Sequence, residues 1–219
     1  LPDGTYTSAW QVRAAGPVVQ VTTDTSADRD PALLQAADGT LWSFFHSYRA
    51  GPCYLWYKTS VDGGSTWSTA TQFTSDYTDD YSPALWQTTD GTLWVVWHSH
   101  RNGPADIFYA TSSDGGGSWS AASQLTTDGA HDYSPAITQA ADGTLWVVWR
   151  SDRSGNADIW YKTSGDGGAS WSAAVQLTTD SDGEGRPTIA QAADGTMWVV
   201  WTRNGVLWYR TSSDGGSSW

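Results

Sequence analysis

The chain has 219 residues, enough for one large domain with a sizeable core, and only 16% of them are charged. Its 23 acids against 11 bases leave a formal charge of −12, a sign that repels phosphate backbones and excludes nucleic acid as a partner. No apolar run is long enough for a membrane span, the single Cys53 excludes an intrachain disulfide framework, and no Cys/His cluster has zinc spacing, so no metal or other cofactor is expected.

The elements expected from the pattern are all strands, because helical periodicity is absent throughout. The first is a short strand over residues 17–22, ending Val18-Val19-Gln20-Val21-Thr22. The chain then repeats itself. Asp-Gly-Thr-[Leu/Met]-Trp begins at Asp38, Asp90, Asp142 and Asp194, and Ser-x-Asp-Gly-Gly-x-[Ser/Thr]-Trp ends at Trp67, Trp119, Trp171 and Trp219. The spacing is 52 residues except at the last step, where a shorter loop, Thr202-Arg203-Asn204-Gly205, reduces it to 48. Repeated positions hold 14 of the 16 tryptophans, leaving Trp10 and Trp86 as extras.

One unit reads as four strands. In the second unit these are Ser82–Gln87, Leu93–Trp97, Asp106–Thr111 and a stretch through Ser123–Thr126, with an Asp90-Gly91 hairpin between the first two. Four-stranded antiparallel units at this period predict an all-β fold, a β-propeller of four blades over 23–74, 75–126, 127–178 and 179–219, in a single domain spanning 1–219. Gln72, Gln124 and Gln176 fall in outer strands, and one further step back lands on Gln20. The strand at 17–22 is therefore expected to complete the last blade and close the ring. A monomer is expected, with donation of that strand to another molecule as the alternative.

Strand parity puts the Asp-Gly hairpins and the glycine-rich boxes at one end of the ring, and longer, more variable loops at the other, where function belongs. Before each first strand come Asp28, Asp80, Asp132 and Glu184, followed by Arg29, Tyr81, Tyr133 and Gly185. After each second strand come His46, His98, Arg150 and Thr202, then Arg49, Arg101, Arg153 and Arg203. Pairing of each acid with an arginine is the expected arrangement, and a hard cation at the pore mouth the alternative. Aromatic faces edged by carboxylates and arginines suit sugars, which makes Asp80, Tyr81, His98, Arg101, Asp132, Tyr133, Arg150 and Arg153 the expected ligand-binding set; the alternative for the tyrosines is packing over the blade seams. Cys53 is expected to be a buried, inert thiol.

The string ending at Trp67, Trp119, Trp171 and Trp219 resembles the Asp-box of bacterial neuraminidase (BNR) repeats, and the resemblance covers essentially residues 17–219. It implies that Asp62, Asp114, Asp166 and Asp214 are structural residues at the blade periphery, each followed by a tryptophan covering its turn from outside. It also implies a secreted, extracellular protein; the start at Leu1 rather than Met is expected to reflect processing or trimming. A sialidase of this family would need an arginine triad, a Tyr–Glu nucleophile pair and an acid/base Asp, in six blades. Here Glu184 is the only glutamate, its own loop holds no tyrosine, and Asp28-Arg29-Asp30-Pro31 matches the family's arginine motif poorly. The expectation is therefore a non-enzymatic, lectin-like module for glycans or cell-surface polysaccharide, with no catalytic residue. The alternatives are a structural, self-assembling or designed symmetric ring, and a glycoside hydrolase of sialidase type.

Overall fold

The computed structural model describes residues 18–219 apart from Tyr77. Every element in it is a strand. The first sheet comprises Asp28–Gln35 (β1), Leu41–Ser47 (β2), Tyr54–Ser60 (β3) and Thr71–Gln72 (β4), and the second Asp80–Gln87 (β5), Leu93–Ser99 (β6), Asp106–Ser112 (β7) and Ser123–Gln124 (β8). The third holds Asp132–Gln139 (β9), Leu145–Ser151 (β10), Asp158–Ser164 (β11) and Val175–Gln176 (β12), and the fourth Glu184–Gln191 (β13), Met197–Arg203 (β14) and Val206–Ser212 (β15). All neighbours pair antiparallel in sequence order. These are the blades of a β-propeller.

Each inner strand carries a bulge in the same place, for instance between Tyr81 and Ala84. There Asp30, Ser82, Ser134 and Arg186 take positive φ values of 47° to 51°, each ahead of a proline, and these eight residues line one small space common to all four blades. Besides the four prolines, the residues gathered there are one aspartate, two serines and one arginine, so the alternative of four carboxylates around one cation is not what this space holds.

The core lies between blades, because second strands such as β6 and β10 are apolar on both faces and buried almost throughout. One device recurs at each seam. Trp42, Trp94 and Trp146 lie against Gly116, Gly168 and Gly216 of the following blade, where φ is near +85° and a Cβ would overlap the indole. Glycine is required there both by conformation and by space. The box tryptophans Trp119, Trp171 and Trp219 meet the same indoles edge-on at 6.0 to 6.2 Å. They thus pack into the seam rather than covering the turn from outside, since the seam offers an apolar partner and the turn does not. A glutamine adds a polar tie: the side-chain oxygens of Gln87, Gln139 and Gln191 accept the backbone N–H of Ala37, Thr89 and Ala141 in the blade before.

The Asp-boxes are local folding devices. Asp114 accepts the backbone N–H of Ser118 at 2.9 Å and the hydroxyls of Ser118 and Ser112 at 2.6 and 2.7 Å. Hydrogen bonds of this kind, from the residue four ahead and the serine two behind, hold Asp62, Asp114, Asp166 and Asp214 down at about 2.

The fourth sheet has three strands among the described residues, and residues 18–22 form no ladder with β15, so the expected intrachain closure is not among the pairings present. Pro17 lies outside the described residues. Trp198, Leu207 and Tyr209 are 40%, 71% and 61% exposed, whereas their counterparts Trp146, Ile159 and Tyr161 are covered to within 7% by the next blade.

Candidate functional site

The loop end of the propeller carries a cleft of about 760 Å3 over the seam between the third and fourth blades. It is lined by His98, by Tyr133 and Ser134 of β9, by Arg150 near the end of β10 and Asp152 just after it, and by Glu184, Gly185 and Arg186 at the start of β13. Thr202 and Asn204 complete the rim from the shortened loop.

Why the cleft sits there follows from comparing seams. Tyr81 projects from the start of β5 against His46 of the preceding blade, ring to ring at 5.1 Å. Tyr133 does the same from β9 against His98, also at 5.1 Å. At the next seam the tyrosine position is Gly185 and the histidine position is Arg150; a Cβ on Gly185 would lie 3.6 Å from Cδ of Arg150, in ordinary contact. The missing phenol ring leaves the space open. The Arg150 guanidinium stands over the Tyr133 ring at 5.3 Å, so one wall of the space is a cation stacked on an aromatic face.

Behind the loops lies a layer of ion pairs. Arg153 contacts Asp132 at 2.9 Å and Asp128 at 2.5 Å, and Arg101 contacts Asp80 at 3.1 Å and Asp76 at 2.9 Å. Arg49 meets Asp28 at 2.6 Å. Each guanidinium also lies over an aromatic ring of the third strand, Trp56, Phe108 or Trp160, at 4.5 to 4.9 Å. Burial pushes the Asp80 and Asp132 carboxyls upward, against the arginines and hydroxyls that draw them down.

Blade four reaches the same arrangement by another route. Register places Arg203 opposite Glu184, where Ser99 and Ser151 stand opposite Asp80 and Asp132. Arg203 is thus the last residue of β14 rather than a loop residue, yet its guanidinium stacks on Trp208 at 3.6 Å and reaches Asp180 at 2.5 Å. Its contact with Glu184 is slack, 3.7 Å. Glu184 Oε1 accepts the Trp201 indole N–H at 2.8 Å, and burial raises its carboxyl above the ordinary range.

Of the residues expected to bind ligand, the structure brings His98, Tyr133 and Arg150 together at the cleft. Tyr81 sits one seam away, between His46 and His98. Asp80, Arg101, Asp132 and Arg153 are committed to the ion-pair layer. Asp152, Gly185, Arg186, Thr202 and Asn204 line the cleft without having been in that set; the signal for them was the interrupted repeat at Gly185 and the shortened loop. His98 is held neutral, its pKa pushed down to about 3 by burial and by the neighbouring His100. Burial raises Tyr133, and it raises Cys53 to about 12, the state of an inert thiol. Among the described residues, no cluster of three or more His, Cys, Asp or Glu has the arrangement to hold a metal.

The model of the BNR repeat-like domain matches residues 8–219. No curated protein sequence matches the chain. Among solved structures, a protein of unknown function from Dyadobacter fermentans superposes with a TM-score of 0.77 at 18% identity, over 91% of this chain and 69% of that one. The leech intramolecular trans-sialidase gives 0.77 at 14% identity, over 94% and 52%. An α-L-arabinofuranosidase from Fusarium graminearum gives 0.74 at 19%, over 86% and 63%. The chain thus spans roughly half to two thirds of these structures, and at such identities the likeness is one of fold.

Proposed function

Since the chain belongs to the BNR repeat-like family, a scaffold on which loops decide the function, we propose that it is a carbohydrate-binding module whose site is the cleft beside Gly185. The observation that carries this reading is the vacated tyrosine position. A flat, ring-shaped group entering it would replace the phenol that fills the equivalent space at the other two seams. It would meet the planar donors of Arg150, held in place by stacking on Tyr133, while Asp152, Thr202 and Asn204 supply hydrogen-bonding groups for hydroxyls around the rim. Solved propellers of similar shape include arabinofuranosidases crystallised with arabinobiose and a trans-sialidase crystallised with a sialic acid derivative, which agrees with a sugar as the ligand class.

Binding without cleavage is the form proposed. Glycoside hydrolysis needs two carboxyl groups in different protonation states on either side of the bond. Asp132 is tied to Arg153, and Asp152 accepts the backbone N–H of His131 at 2.8 Å. Glu184 is 2% exposed and turned to Trp201. The module is proposed to act outside the cell, on glycans or surface polysaccharide. A glycan array tests this: wild-type protein should retain specific oligosaccharides, and Arg150→Ala should lose most of that signal. An array with no retained sugar would remove the reading.

One observation favours hydrolysis as a second reading. Glu184 is among the residues around the cleft, and its carboxyl, enclosed beside Trp201 just behind the wall, is raised by burial in the direction a general acid requires. Release of aryl leaving groups by wild type, abolished in Glu184→Gln, would establish it.

A further inference from the structure

Four equivalent positions of the third strands, paired with Ser43, Val95, Val147 and Val199, carry Lys58, Ala110, Lys162 and Arg210. Three of these are cations, and all three make the same contact. Lys58 donates to the carbonyl of Val21 at 2.6 Å, Lys162 to that of Leu125 at 2.8 Å and Arg210 to that of Leu177 at 2.8 Å, each reaching the segment that precedes its own blade. The matching acceptor in front of the second blade is the Phe73 carbonyl. Phe73, Leu125 and Leu177 hold the same place in their strands, since they donate their N–H groups to Leu55, Ile107 and Ile159. Ala110 has neither the stem nor the nitrogen to reach that carbonyl.

A pocket of about 260 Å3 lies at this seam, and Ala110, Tyr57, Phe73, Trp97 and Trp119 are among the residues that line it. The same corner of the third blade holds Lys162 and Arg153 in a smaller space of about 180 Å3. Phe73 stands where the next two blades have leucine, and it meets Trp97 and Trp119 edge-on at 5.8 and 5.2 Å. The seam has thus lost a cation and gained an aromatic ring. The larger ring offsets part of the missing stem, and the pocket is the space it leaves. The charges around it match those of a blade that keeps its lysine. Burial and the Arg153 guanidinium act against the Lys162 charge, while Asp128 and Asp132 favour it. Arg101, Asp76 and Asp80 repeat that set in the second blade.

We infer that this pocket is a binding site for a primary alkylammonium group, an external counterpart of the lysine side chain that the second blade lacks. The nitrogen donates to the Phe73 carbonyl, as Lys162 does to that of Leu125, and the carbon stem packs among the aromatic residues. Aromatic surroundings suit a cation better than a neutral group of the same shape. A charge of −12 on the chain raises the local concentration of cations. A free alkylamine and the lysine side chain of another polypeptide both present this group. The inference is independent of the sugar reading, because the pocket and the cleft share no residue.

Heteronuclear NMR of the whole chain, titrated with n-propylamine hydrochloride at neutral pH and constant salt, tests it. This amine supplies the three carbons and the nitrogen by which lysine exceeds alanine. The Ala110 amide and Trp119 indole signals should move saturably, with a dissociation constant in the millimolar range for a ligand of so few atoms. The neutral isostere 1-propanol should bind about tenfold more weakly. Nα-acetyl-lysine amide separates the two sources: binding tighter than that of n-propylamine assigns the site to a lysine of another chain, and weaker binding assigns it to a free amine. Ala110→Lys should carry its own ammonium to Phe73 and show no response. Ala110→Met, neutral and unbranched, should block the pocket as well and keeps the test open should the lysine variant not fold. No saturable shift in wild type, an equal response to 1-propanol, or an undiminished response in a folded Ala110 variant would each overturn the inference.

Discussion

Between the second and third blades, Tyr133 fills the space beside His98; between the third and fourth, Gly185 leaves the corresponding space beside Arg150 open. Beneath both, the same seam of tryptophan on glycine holds the blades together. The ion-pair layer differs in step with the loops above it: Arg153 grips Asp132 through two hydrogen bonds of 2.9 and 3.0 Å, whereas Arg203 lies 3.7 Å from Glu184. One seam is finished as structure, and the other has given up a ring and part of a clamp to make room. In a repeat protein the recurring residues report on folding, so the position where one is missing is the better guide to a site.

The largest effect that separates the two seams should come from their clamps. Asp132→Ala removes the buried partner of Arg153, leaves it only the more exposed Asp128, and should cost about 1.5–3 kcal/mol of stability, measured by urea unfolding. Glu184→Gln keeps the hydrogen bond to Trp201 in a looser clamp and should cost about 1 kcal/mol. Equal losses would remove the distinction between a tight and a slack clamp.

Arg150→Ala takes the cationic wall from the open seam and should weaken binding of an array-selected oligosaccharide about tenfold, ~1.4 kcal/mol, by calorimetric titration. Tyr81→Gly at the first seam imitates Gly185 next to a histidine rather than an arginine. It should open a new cavity beside His46, seen in a structure of the variant, while affinity at the natural cleft changes less than twofold, since Tyr81 does not line it.

The smallest effect is common to all blades. The Asp-box carboxyls lie at about 2 in the folded chain against an ordinary 3.8, so their contribution is complete above about pH 4 and is lost as pH falls toward 2. Asp80, Asp132 and Glu184, raised by burial, act in the opposite sense and blunt the loss. Thermal melting temperatures should therefore decline through that window, and a flat profile would mean the boxes do not hold their turns through ionised aspartates.

Most of the architecture was legible because a fixed period makes each strand and turn visible four times over. Even the phase of Gln20 was readable, and Val21 and Thr22 do occupy outer-strand positions against Lys58 and Asp28. Whether that segment meets β15 was not, because pairing depends on how far the seams carry the chain round the axis, which no local pattern encodes. The cleft was legible only in part. Reasoning from side chains that are present selects Tyr81, Tyr133 and the arginines, and most of those turn out to be packing and ion pairs. Gly185 stands in line with the tyrosines, but an absent ring has meaning only once the space it leaves can be seen. Arg203 shows the complementary limit: it matches the other arginines by role while register puts it opposite Glu184, because the shortened loop forces the guanidinium to arrive from the strand end.

The most direct test is to restore the missing ring. Gly185 has an ordinary backbone conformation, and tyrosine is what two other blades carry at this position, so Gly185→Tyr should fold with an unchanged melting temperature. Titrated with the array-selected oligosaccharide, wild type should bind one molecule per chain and Gly185→Tyr none. Undiminished binding by a folded Gly185→Tyr would contradict the account, because the ligand would then have no need of the space that defines the site.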